Sequence, residues 1–317
     1  MTLPQEQIGS AFAAPGKIVV ATDLTDTEYL LPHAMAQARA SAASLILVHA
    51  VLPHESMPVE TGAVPYYDPL RMDRDARLLL DGLTREVRAQ GIECVPAVRH
   101  GFVPDVIAEV VKNTGAGRLI LGTHGRRGLK KFVLGSVARQ LLETVDIPVC
   151  TVGPRAHRKS TEALAKILHP VSLAGMHESS AALSIGLGEQ FGAQVTLMHV
   201  IMPSPSVAKD PGMAVARAKE ELERLIPERA RAWTRVEAKI ALGNVVQEIL
   251  SVAQEMQAGL IVLGVHAPAH SWLPGTEPAA YKILVSAPCP VISLHVNPAL
   301  ADENAEAKEH AGPVVFG

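Results

Sequence analysis

Short, unbroken apolar runs alternate along this chain with longer stretches in which apolar residues recur every three or four positions. Lys17–Ala21 (KIVVA), Ser44–Val51 (SLILVHAV), 92–99 and the run LIL at 119–121 are of the first kind, and with 147–152 they predict five strands buried on both faces. The stretches between them predict amphipathic helices over Thr27–Ser41, 70–90 and 104–113, with a further helix ahead of the last strand. Pro32 lies inside the first helix and predicts either a kink or a late start. Gly91 follows the second helix as a C-terminal stop. Segment 53–69 carries four prolines and reads as a long loop. Strands alternating with helices at this pitch predict an α/β fold with a doubly wound parallel sheet.

The pattern then begins again. Residues 98–125 align without a gap on 240–267, an offset of 142, and 44–53 align on 194–203, an offset of 150. The second copy is therefore eight residues shorter between these blocks, a deletion that falls in the long loop. A tandem repeat follows: a lead-in at 1–16, a first domain at 17–153, a polar linker at 154–165, a second domain at 166–296 and a tail at 297–317. The length of 317 residues agrees with two domains of about 150 residues each.

Composition narrows the function classes. Apolar residues make up 48 % of the chain but aromatics only 3 %, so the core must be built from Ala, Val, Leu and Ile. A net charge of −3 argues against a nucleic-acid partner, which calls for a basic domain. Cys94, Cys150 and Cys289 form no CxxC pair and read as reduced core thiols. No apolar run reaches the roughly 18 residues of a membrane span. The N-terminus lacks both a basic start and a long apolar segment, so a soluble cytoplasmic protein is expected.

The stretch at 119–137, LILGTHGRRGLKKFVLGSV, carries the candidate chemistry. A buried strand breaks at Gly122, passes through a glycine- and base-rich loop, and resumes as a helix at Gly135-Ser136. Strand, glycine loop and helix start together leave backbone N–H groups free to hold an anion. Gly122 and Gly125 permit close backbone approach, Gly135 clears the helix mouth, and Ser136 either caps the helix or bonds a phosphate oxygen. Neither GxxxxGK[ST] nor, in this turn, GxGxxG is present.

The spacing Gly122-x2-Gly125-x9-Gly135-Ser136, after a buried strand and before a helix and final strand, closely resembles the nucleotide loop of the universal stress protein family. The resemblance implies two tandem doubly wound, five-stranded parallel-sheet domains of the HUP or Rossmann-like kind, and ATP as the ligand, with Mg2+ bridging its phosphates. It implies that Ala21, Thr22 and Asp23 contact base and ribose, with the Asp23 carboxylate accepting from a ribose hydroxyl. Ala50 would hold the adenine through its backbone. Leu121, Gly122, Thr123, Gly125, Arg126, Gly135, Ser136 and Val137 would surround the phosphates. Family domains commonly pair, which implies an internal pseudo-dimer or a homodimer.

The second repeat breaks the signature: Ala267 replaces Gly125, Glu277 replaces Gly135, Pro278 replaces Ser136, and Ser172 stands for Asp23. A glutamate at the phosphate mouth opposes a triphosphate by about 1 kcal/mol per close charge pair, and proline removes a donor. One ATP site, in the first repeat, is therefore expected.

Plainer readings stand beside these. Asp23 can serve only its turn, and the exposed Arg126, Arg127, Lys130 and Lys131 are of a kind that is usually solvated. His124 can be held by the loop without doing chemistry. His49 and His199, matched in the two repeats, read as strand-end packing residues. His266 and His270 have HxxxH spacing, but Pro268 and the missing glutamate of HExxH argue against a metal. Enzymes on the same scaffold carry HxGH or SGGxDS loops, and neither occurs. An ATP-binding stress-response regulator with at most slow hydrolysis is the main reading. The alternative is a protein-interaction module that no longer uses nucleotide. The final strands PVCTV and PVISL are candidates for edge pairing, within the chain or between chains.

Overall fold

The computed structural model describes residues 14–51, 69–123, 134–156, 164–173, 178–233, 235–266 and 278–296. The first repeat runs β1 (Lys17–Ala21), α1 (Thr27–Ser41), β2 (Ser44–Val51), α2 (Pro69–Ala89), β3 (Cys94–His100), α3 (Val103–Thr114), β4 (Arg118–Gly122), α4 (Ser136–Thr144) and β5 (Val149–Val152). The second runs β6 (Lys166–Pro170), α5 (Glu178–Phe191), β7 (Gln194–Ile201), α6 (Pro205–Lys209), α7 (Pro211–Arg224), α8 (Glu228–Trp233), β8 (Val236–Leu242), α9 (Val245–Glu255), β9 (Leu260–His266), α10 (Ala279–Ser286) and β10 (Val291–Val296). The α/β class and its repetition are as the apolar pattern predicts.

All ten strands join in one sheet, ordered β3-β2-β1-β4-β5-β10-β9-β6-β7-β8. Pairing is parallel within each repeat and antiparallel only where β5 meets β10. The final strands thus pair within the chain. Helices cover both faces, which is why the strands carry no polar side: Ile18, Val19 and Val20 are all fully buried. Ile18 and Val20 point into a core with Leu30 and Leu31 of α1, Leu80 of α2, Leu183 of α5 and Leu222 of α7. Val19 and Ala21 point into the opposite core, with Ile107 of α3, Leu141 of α4, Ile249 of α9 and Ile283 of α10. Each core runs without a break through both repeats.

Boundaries shift for local reasons. The fifth strand begins at Val149 rather than 147, because Pro148 has no N–H and contributes only its carbonyl, to Leu119 N at 3.1 Å. The third begins at Cys94 rather than 92, Glu93 contributing its carbonyl to Leu45 N. Helix α1 starts at Thr27 and runs through Pro32, so there is no late start; burial of Leu30, Leu31 and Ala34 offsets the bond that proline cannot make.

The repeats agree in fine backbone detail. Lys17 Nζ reaches Thr114 O at 3.2 Å, and Lys166 Nζ reaches Met256 O at 3.0 Å. Gly115 after α3 has φ +63, and its counterpart Gln257 after α9 has φ +54. Only the first is a residue suited to the left-handed region. Gly115→Ala is expected to destabilise the protein by about 1 kcal/mol in urea unfolding, whereas Gln257→Gly does not destabilise it.

Candidate functional site

Helix α1 leaves β1 on one face of the sheet and α4 leaves β4 on the other. Between these adjacent strands the winding changes direction, and the crevice at their C-terminal ends is where such sheets admit ligands. Turn 22–26 and the start of α4 both open onto that edge.

The turn is built from side chains. Thr22 Oγ1 accepts from Leu24 N at 2.9 Å and donates to Asp26 Oδ1 at 2.5 Å. Leu24 sits between them with φ +69, a conformation costly for a side chain other than glycine. Asp23 Oδ1 accepts from Thr25 N at 2.8 Å and from Thr25 Oγ1 at 2.6 Å. Asp23 Oδ2 is buried and has no hydrogen-bond partner. One oxygen of Asp23 therefore serves the turn, and the other is an unmet acceptor. Thr22 N bonds Val48 O at 3.0 Å, and Thr22 O accepts from His49 Nδ1 at 2.9 Å. That carbonyl requires the proton on Nδ1. Ala50 lies on β2 opposite Arg99 and shares the strand face of Val48, the register partner of Ala21.

The other wall comes from β4 and α4. Leu121 and Gly122 end β4. Thr123 is buried; its N–H bonds Val152 O at 3.0 Å and its carbonyl accepts from Gly135 N at 3.0 Å. Gly135 is the N-cap of α4, and a Cβ there would stand 3.3 Å from Thr123 O. Ser136 is the first helical residue, so its hydroxyl does not occupy the capping position. The first rung of α4 is Arg139 N to Gly135 O at 2.9 Å. The amides of Ser136, Val137 and Ala138 precede it, at the positive end of the helix dipole. Gly125 and Arg126, with His124, Arg127, Lys130 and Lys131, lie outside the described residues.

At the corresponding edge of the second repeat, the described residues differ from those of the first. Val171 and Ser172 replace Thr22 and Asp23, and Pro278 occupies the N-cap of α10 with no donor of its own. Ala267, Glu277, Pro268 and His270 lie outside the described residues, and His266 ends β9. His199 Nδ1 still donates to Val171 O at 2.8 Å. The histidine contact is retained where Thr22 and Asp23 are not, as a scaffold contact would be. Among the described residues no group of three or more His, Cys, Asp or Glu could hold a metal ion, and all three cysteines are buried and free.

Asp26 is the site residue that sequence reading missed. An aspartate directly before a helix reads as its N-cap, yet Asp26 makes no side-chain capping bond and holds Thr22 instead. It is 4 % exposed, and its burial pushes its pKa from the usual 3.8 to about 6, against the Thr22 hydrogen bond and with a smaller push from Asp23.

The chain matches the universal stress protein family over residues 15–153 and 166–295. Universal stress protein MJ0577 of Methanocaldococcus jannaschii is 22 % identical over 151 residues, 43 % of this chain and 93 % of that protein. A universal stress protein structure from Archaeoglobus fulgidus superposes with TM-score 0.66 at 17 % identity, covering 88 % of this chain and 98 % of that one. A putative universal stress protein from Pseudomonas aeruginosa superposes with TM-score 0.60 at 19 % identity, covering 94 % and 99 %. At these identities the structural likeness speaks to fold.

Because the folded chain holds the Asp26 proton more tightly than the unfolded chain, this group's stabilisation is complete below about pH 4 and is lost as pH rises through about 6. Asp26→Asn keeps the acceptor for Thr22 without the charge. Its stability relative to wild type is expected to rise between pH 4 and 7 by about 2.5 kcal/mol, at roughly 1.4 kcal/mol per pKa unit, in denaturant unfolding. A pH-independent difference would contradict the buried carboxylate.

Proposed function

The chain belongs to the universal stress protein family, and from that premise we propose that its first repeat binds ATP at the β1–β4 crevice while its second repeat is a structural partner. The observation that carries this reading is Asp23 Oδ2, a buried acceptor without a partner on the turn that the family resemblance assigns to the ribose. A ribose hydroxyl would meet that need. The amides of Ser136 and Val137 suit a phosphate, and the approach of Gly135 to Thr123 O leaves little room for a side chain at the mouth. Thr22, Ala21 and Ala50 would border the nucleoside, and Leu121, Gly122, Thr123, Gly125 and Arg126 the phosphate chain. With no acidic metal cluster among the described residues, Mg2+ would be held through the phosphates themselves.

The reading is regulatory. The hydroxyl–carboxylate pairs at this edge, Thr22 with Asp26 and Thr25 with Asp23, hold the turn together, and any ATP turnover is expected to fall below about one per second. The protein acts in the cytoplasm in a stress response, through a protein partner and without nucleic acid; no helix among the described residues is long and apolar enough to cross a membrane. The domains are 17–153 and 166–296, joined by 154–165. A second reading, an interaction module without nucleotide, is favoured for the second repeat by Val171, Ser172 and Pro278.

Calorimetric titration of the intact protein with Mg-ATP tests this. One site per chain is expected. Asp23→Ala weakens it at least tenfold, in line with a charged hydrogen bond of about 1.5–3 kcal/mol, and Gly135→Glu abolishes it. No binding by the wild type would favour the interaction module, and two sites would overturn the assignment of the second repeat.

A further inference from the structure

The seam between the repeats is built about a pseudo-two-fold axis, along which residues meet their own counterparts. In the sheet, Cys150 of β5 is the register partner of Ile292 of β10, and the two differ by the repeat offset of 142. On one helix layer, Arg139 of α4 lies 5.2 Å from the ring centroid of Tyr281 of α10, again 142 apart. On the other, Gln190 Nε2 of α5 donates to Ala40 O of α1 at 2.7 Å, a separation of 150, the offset that holds for those helices. Three self-equivalent pairs through three layers define an isologous contact in backbone terms.

The side chains are not self-complementary, and we infer that Arg139 against Tyr281 makes this surface of the first repeat accept a second repeat and reject another first repeat. The tyrosine is buried, offers its ring face to the guanidinium, and donates its hydroxyl to Glu143 at 3.0 Å. A pairing of two first repeats about the same axis would set two arginines and two Glu143 carboxylates at this seam in place of a cation over a ring, a charge set that is costly to desolvate. Behind the sheet the same contrast recurs. Arg118 is fully buried and donates to Gln37 Oε1 at 3.1 Å, and Gln37 Nε2 reaches Cys150 Sγ at 3.2 Å. The corresponding residues of the second repeat are Leu260, Leu187 and Ile292. A first repeat thus brings a buried cation and its amide partner to the axis, and an apolar second repeat accommodates them; a second such cluster would double the buried charge. The arginine therefore selects a second repeat, and not another first repeat, as the partner of this surface.

The test uses the intact chain. Tyr281→Arg places arginine on both sides of the axis, as a contact between two first repeats would. Hydrogen exchange of the β5 and β10 amides is expected to speed up at least tenfold. The swapped pair Arg139→Tyr with Tyr281→Arg restores the cation–ring contact and returns exchange to within threefold of wild type. Arg139→Tyr alone, with tyrosine on both sides, keeps the seam closed. Exchange unchanged in Tyr281→Arg, or a swapped variant that exchanges as fast as Tyr281→Arg, would overturn the inference. Because recovery in the swapped variant is the criterion, general unfolding of Tyr281→Arg does not blunt the test.

Discussion

A strand buried as deeply as β5, with Cys150 and Val152 fully inaccessible, must find partners for its outward backbone groups. Pairing with β4 satisfies one edge only. The antiparallel rungs to β10, at Val291 with Thr151, Ile292 with Cys150 and Ser293 with Val149, close the other. From that seam follow the ten-stranded sheet, the two cores that run through both repeats, and the burial of Thr151 and Ser293, small hydroxyl residues at matching positions. A single repeat would expose this edge.

Duplication permits division of labour because the scaffold does not depend on the site. The lysine braces at Lys17 and Lys166, the histidine contacts at His49 and His199 and the left-handed turns at Gly115 and Gln257 recur in both halves. The polar groups of the crevice do not. The first repeat keeps Thr22, Asp23 and Asp26 in costly states: an unmet acceptor, a carboxyl whose burial raises its pKa, and a strained Leu24 between them. The second has Val171 where Thr22 stands and Ser172 where Asp23 stands. A strained residue beside an unmet acceptor at the sheet's crevice supports the proposal that this turn is kept for a ligand.

Much of this was written locally. Uninterrupted apolar runs identified the strands because parallel strands are covered on both faces, and constant offsets exposed the repeat because the backbone has the same needs twice. Glycine spacing marked the α4 mouth because glycine is a requirement of close approach, visible without knowing the neighbour; Thr123 O at 3.3 Å from a would-be Cβ is that neighbour. Asp26 escaped notice because its role depends on the direction of its side chain. A helix-cap pattern describes the residue's place in the chain and not the Thr22 hydroxyl that it serves.

The sequence by itself determined the elements, the duplication and the difference in polarity between the two crevices, since these depend on residue types at short spacing. Only the tertiary structure decided which strand β5 pairs with, that Arg118, Gln37 and Cys150 form one buried cluster, and that Arg139 meets Tyr281. Those contacts join residues 81 to 144 positions apart. They exist because the two halves of one sheet share one axis, and no local pattern records where that axis passes.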